Sequence, residues 1–153
     1  MRRFLLVLTL AATAAYAAPM PYDEAADARA ELRQALVTAR ETERPVLVLF
    51  GANWCEDCRA LDRALKSGRN AELVRREFNV VKVDVGNFNK NMDLAAALGN
   101  PVKKGIPAAV ILSPQNEVLY ATQAGELADA RRMSESGIYD FFKTVTDKAR
   151  KNP

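Results

Sequence analysis

The sequence predicts an α/β domain: a central mixed β-sheet of about four strands sandwiched between helices, with an N-terminal amphipathic helix leading into it. Two observations carry this. Residues 46–50, "VLVLF", 80–85, "VVKVDV", and 108–112, "AAVIL", are short apolar runs rich in β-branched residues, the pattern of strands covered on both faces. Between them the apolar residues return at helical spacing, so strands and helices alternate along the chain.

Each element follows in order. In "DEAADARAELRQALVTAR", residues 23–40, Ala28, Leu32, Ala35, Leu36 and Ala39 share one stripe, with Asp23 placed to cap the start. Pro45 introduces the strand Val46 to Phe50. After "GANWCEDC", Leu61 and Leu65 continue a helical stripe to about Lys66, where "SGRN" breaks it. A short helix from Ala71 to Phe78 leads into the strand Val80 to Val85. A Gly/Asn-rich connection, "GNFNKN", precedes a helical patch from Met92 to Leu98. The strand Ala108 to Leu112 is joined through the turn residues "SPQN" to the strand Glu117 to Thr122, a hairpin. A last helix covers Ile138 to Arg150, with Ile138, Phe141, Phe142 and Val145 facing inward.

The opening "MRRFLLVLTLAATAAYAAPMP" has a basic start at Arg2 and Arg3, an apolar run from Phe4 to about Ala15, and a small-x-small site at Ala15-Tyr16-Ala17. This is the layout of a secretory signal peptide over residues 1–17, cleaved after Ala17. The apolar run is shorter than the ~20 residues of a spanning helix. The expected organisation is therefore a signal peptide at 1–17, a loose leader at 18–22 and one domain at 23–153, in a periplasmic or secreted protein with no stable membrane insertion. Removing the signal takes two of the 22 basic side chains and none of the 19 acidic ones, leaving a net charge of about +1. With basic and acidic residues interspersed, no field for nucleic acid remains.

Chemistry concentrates in the two cysteines, Cys55 and Cys58, and the chain has no histidine. Structural zinc wants four Cys or His ligands, so two thiols without a histidine argue against a metal. No cofactor is expected. A bridge between positions three apart closes a very small loop and constrains the unfolded chain little, which argues against a staple. A redox pair accounts for placement as well as identity. Cys55 follows a buried strand and a short turn, at the start of the next helix, where unpaired N–H groups and the helix dipole favour a thiolate. Cys58 lies one turn on, giving an exposed attacking sulfur and a shielded resolving one.

"VLVLFGANWCEDC", followed about fifty residues later by "KKGIPAAVIL", resembles the thioredoxin superfamily, and in particular its small exported bacterial members. The resemblance covers roughly residues 25–149. It implies a thioredoxin fold, a cis peptide bond at Ile106-Pro107 that turns the Ile106 backbone toward Cys55, and a substrate strand pairing there. It also implies that Trp54 offers an apolar platform to the incoming disulfide, and that Gly125 leaves room for substrate near Pro107. It implies no cofactor, partners that are protein disulfides or dithiols, and a membrane-bound thiol as electron donor.

The departures from the family are also informative. The position six residues before the nucleophile, where familiar thioredoxins carry a buried aspartate, is Leu49 here. Lys82 matches the lysine that partners that aspartate, leaving it to pair with Asp84, Glu56 or Asp57, or to reach solvent. Glu56 and Asp57, between the cysteines, oppose a neighbouring thiolate by like-charge repulsion and favour a more reducing couple. As acids in a first helical turn they also suit the helix dipole alone. The function these readings support is an exported thiol–disulfide oxidoreductase reducing protein disulfides. The alternative is a thioredoxin-fold adaptor or chaperone module whose disulfide is fixed.

Overall fold

The computed structural model describes residues 19–151. The expected signal peptide and its cleavage site lie outside the described residues, as do Ala18 of the leader and the last two residues of the chain.

A four-stranded sheet forms the centre, in the order β2-β1-β3-β4. Its strands are β1 (Val46–Gly51), β2 (Asn79–Asp84), β3 (Ala108–Leu112) and β4 (Val118–Ala121). β1 runs parallel to β2 and antiparallel to β3, and β4 is antiparallel to β3, so the sheet is mixed. Every residue of β1 and β3 is buried, which explains why their sequences show no polar alternation.

The period-2 side-chain alternation of β1 divides the core in two. Val46, Val48 and Phe50 face α1 (Ala28–Thr42) and α4 (Met92–Ala97). Leu47 and Leu49 face α2 (Glu56–Leu65), α3 (Gly68–Glu77) and α5 (Glu135–Lys151). Leu49 is thus simply a core residue, 3% exposed.

Three helix starts differ from the sequence reading, and at two of them a different side chain caps the first turn. α1 begins at Ala28, capped by Asp27, whose Oδ1 accepts from Ala30 N at 2.9 Å. Asp23 instead accepts from Ala25 N and shapes an earlier turn. α3 begins at Gly68, so "SGRN" supplies its cap position and first turn rather than a break between helices. α5 begins one turn early at Glu135, where Ser134 Oγ accepts from Gly137 N at 3.0 Å. In α5, Ile138, Phe142 and Val145 are buried and Phe141 is partly so, stacked edge-on against Phe142.

The leader is not loose where it is described. Tyr22 is 5% exposed and belongs to the core. Its backbone is clamped by one side chain: Tyr22 N donates to Asn53 Oδ1 at 3.0 Å, and Asn53 Nδ2 donates to Tyr22 O at 2.9 Å. A buried aromatic ring and a doubly bonded backbone make Tyr22 part of the domain.

Candidate active site

β1 ends at Gly51, a three-residue turn follows, and α2 starts with Cys55 as its N-cap. Cys55 and Cys58 form a disulfide, with Cα atoms 5.2 Å apart. The backbone N–H of Cys58 donates to Cys55 Sγ at 3.1 Å. The first turn of α2 thereby delivers one of its unpaired donors to the sulfur that would carry negative charge on reduction.

The Ile106-Pro107 peptide is cis, and Ile106 O lies 3.7 Å from Cys55 Sγ. Pro107 precedes β3, which pairs with β1, so the sheet register carries the proline loop to the cysteine turn. With that loop against it, Cys55 is only 6% exposed in the disulfide form, against 1% for Cys58. The expected contrast between an open and a shielded sulfur is therefore small in this state.

Trp54 is 54% exposed, and its indole N–H donates to Gly86 O at 2.9 Å. Phe88, itself 44% exposed, stacks edge-on against it at 6.3 Å between ring centroids. Phe88 adopts a left-handed backbone conformation with φ 58°, a strained choice for an aromatic residue. The sequence reading had Trp54 alone; Phe88 doubles the apolar platform beside the disulfide.

Gly125 has φ 75°, and a methyl built on it would meet Lys104 O at 2.8 Å. That space belongs to the loop leading into Ile106, so Gly125 supports the proline loop from behind. The structure places Gly125 against that loop, where a side chain would strike the Lys104 carbonyl.

Lys82 pairs with none of the residues expected. On β2 its side chain points to the α2 face, where it bonds Asp62, and Lys66 reaches the same carboxylate at 2.8 Å. Asp62 is 12% exposed. Burial pushes its carboxyl up, but hydrogen bonds from Lys66 and Lys82 outweigh this and hold it below the usual carboxylate range. Nothing local in the sequence links positions 62 and 82; the packing of α2 on β2 brings them together.

Glu56 and Asp57 are also not free acids. Arg131, in a 3-10 turn at Ala130–Arg132, reaches Glu56 Oε2 at 2.6 Å through Nη1, and its backbone N–H donates to Asp57 Oδ1 at 3.0 Å. A sequence separation of more than seventy residues hid this partner.

Two further groups complete the site. Asp84, at the end of β2, is 5% exposed and pairs in register with Gly51. Its Oδ1 accepts from Gly86 N, while Oδ2 has no hydrogen bond and only Lys90 Nζ near it, at 3.4 Å. Tyr22 covers Gly51: a methyl there would collide with the Tyr22 hydroxyl and stand 2.9 Å from Cys58 Sγ. Gly51 is thus required by close approach, and the Tyr22 phenol and Cys58 Sγ share one gap.

Residues 27–114 match the thioredoxin-like family, and the chain belongs to it. A crystal structure described as a disulphide isomerase from Xylella fastidiosa Temecula1 is 50% identical, covering 85% of this chain and 99% of the other, with a TM-score of 0.83. A thioredoxin from Thermus thermophilus, 21% identical over 76% of this chain and 85% of its own, superposes with a TM-score of 0.57. An oxidoreductase named DsbH, 18% identical over 77% of this chain and 81% of its own, gives 0.56. The last two share the fold. No curated protein matches the chain.

Proposed function

We propose that this member of the thioredoxin-like family is an exported thiol–disulfide oxidoreductase that reduces protein disulfides. The observation that carries the reading is the Cys55–Cys58 disulfide at the start of α2, with a helix amide on Cys55 Sγ and Ile106 O beside it. In the reduced state the Cys55 thiolate attacks a substrate disulfide, one substrate sulfur leaves, and a mixed disulfide forms. Cys58 then attacks Cys55 Sγ, the second substrate sulfur leaves, and the Cys55–Cys58 bond closes. Two electrons pass from the protein to the substrate.

The 50% identity to a disulphide isomerase supports disulfide chemistry of this class. Ile106 offers backbone to an extended substrate segment, and Trp54 with Phe88 offers it an apolar flank. Glu56 and Asp57 oppose the Cys55 thiolate and favour the reducing direction, with Arg131 offsetting part of their charge. A reductase outside the cytoplasm needs electrons delivered across the membrane, so the donor is a membrane-bound thiol protein. No helix among the described residues is long and apolar enough to cross a membrane, and export rests on the sequence pattern of residues 1–17.

Turnover tests the reading. With insulin as a general disulfide substrate and a thiol reductant as electron source, wild type should accelerate reduction and Cys55→Ser should not. Equal rates would favour a fixed-disulfide adaptor. N-terminal sequencing of the exported protein should begin at Ala18, and recovery of intact Met1 in membranes would contradict cleavage.

A further inference from the structure

A tyrosine from the segment ahead of the first helix occupies the space next to the resolving sulfur. The Tyr22 hydroxyl and Cys58 Sγ both border the gap over Gly51, and both residues belong to one buried cluster. Asn53, in the turn between Gly51 and Cys55, holds the Tyr22 backbone at both its N–H and its carbonyl. The active-site turn itself therefore fixes the phenol.

We propose that Tyr22 is the hydrogen-bond donor that stabilises the Cys58 thiolate during resolution of the mixed disulfide. The inference deepens the exchange reaction proposed above. In that step Cys58 gives up its proton and its sulfur attacks Cys55 Sγ. The bond from Cys55 to the substrate breaks, and the departing substrate sulfur takes up a proton. No external oxidant is needed. Cys58 is a residue only 1% exposed in the disulfide form, so water has little access to negative charge placed there, and a neighbouring O–H can stabilise it instead.

The surroundings make the phenol a donor and not a base. Burial, then the charges of Asp62 and Asp84, push Tyr22 well above the ordinary tyrosine range, so it keeps its proton throughout the physiological range. Charged groups around the gap come from several elements. Asp62 stands on α2 with Lys66 and Lys82 on its carboxylate. Asp84 ends β2, with Lys90 of the next loop near it. Glu24, on Tyr22's own segment, accepts from Asn53 Nδ2. Both carboxylates near the phenol disfavour a thiolate on Cys58, and Leu49 on the central strand offers no polar group. A neutral donor is what the site lacks without Tyr22.

The chain has two cysteines, so Cys55→Ser leaves Cys58 as the sole thiol, and its titration can be followed by thiolate ultraviolet absorbance. Adding Tyr22→Phe keeps the ring in the core and removes only the hydroxyl. The double variant should show a Cys58 pKa higher by about one unit, or about tenfold less thiolate at a given pH below it. An unchanged or lowered pKa would overturn the proposal. In the chain with both cysteines, reaction with an aromatic disulfide reagent releases one thiolate on attack by Cys55 and a second on resolution by Cys58. Tyr22→Phe should slow the second release about tenfold and leave the first unchanged; equal second-release rates would overturn the assignment. A wild type that releases no second thiolate would contradict the exchange reaction itself, while the titration still decides the place of Tyr22.

Discussion

The two ends of the sheet differ in what they leave buried and what they leave open. At the end away from the cysteines, charges are paired and backbone groups are tied. Glu77, 8% exposed, is held by Arg76 at 2.8 Å and by Arg150. Arg44 donates to Arg75 O at 2.7 Å and to Asn79 Oδ1 at 3.2 Å, and Asn79 Nδ2 donates to Arg44 O. At the cysteine end, Asp84 Oδ2 is buried without a hydrogen bond, Phe88 and Asn91 hold left-handed backbones, and two aromatic rings stand in solvent. A cavity of about 610 Å³, lined in part by Arg44, Glu77, Phe78 and Arg150, lies at the tied end. Cavity size alone would point away from the disulfide. Left-handed backbone occurs at both ends, at Glu43 and Asn116 as well as at Phe88 and Asn91; what sets apart the end where exchange is proposed is the buried Asp84 oxygen without a hydrogen bond and the half-exposed pair of aromatic rings.

The comparison can be broken in four places. The largest effect belongs to Gly51→Ala, since the added methyl strikes both Tyr22 and Cys58. Overpacking there should cost about 1–3 kcal/mol in chemical denaturation and slow insulin reduction as well. A variant with both properties intact would mean that the gap over Gly51 yields freely. At the other end, Glu77→Gln removes the carboxylate shared by two exposed arginines. It should cost about 1–2 kcal/mol of stability and leave the turnover rate unchanged. Lost turnover with intact stability would erase the division between the ends.

Asp62→Asn sits between these regions. Because its folded carboxyl titrates below the ordinary range, Asp62 contributes stability that is fully present above a pH of about 3.9 and fades as pH falls through the folded value. The variant should therefore lose about 1 kcal/mol near neutral pH, and its deficit should vanish in acid. Unfolding curves across that range check this, and a deficit independent of pH would contradict the ion pair with Lys82.

The smallest effect is on the redox potential. Replacing Glu56 and Asp57 by Gln and Asn should raise it by about 10–30 mV, where ~30 mV is about 1.4 kcal/mol for two electrons. Arg131→Gln should shift it the opposite way by exposing the same acids. Equilibration against glutathione measures both, and an unchanged potential in both variants would leave these residues as helix-start and packing groups.

What the sequence disclosed, and what it withheld, follows the range of the interactions. β1 and β3 were legible because burial on both faces leaves an unbroken apolar run. Cys55 and Cys58 were legible because a strand, a turn and a helix start are consecutive in the chain. Asp62 for Lys82, Arg131 for Glu56, and Phe88 for Trp54 were not, because each pair meets only through packing between separate elements. Tyr22 was the hardest to see. It precedes the first helix in a polar, proline-containing segment that reads as a leader, and only Asn53 fastens it to the active-site turn.

The central claim is that Cys55 attacks and Cys58 resolves. Cys58→Ser tests it most directly, because attack proceeds and resolution cannot. Reduced Cys58→Ser should accumulate a covalent adduct with a disulfide-containing protein, and peptide mapping should place the bond on Cys55. If Cys58→Ser yields no adduct while Cys55→Ser yields one through Cys58, the assignment is reversed and the account fails.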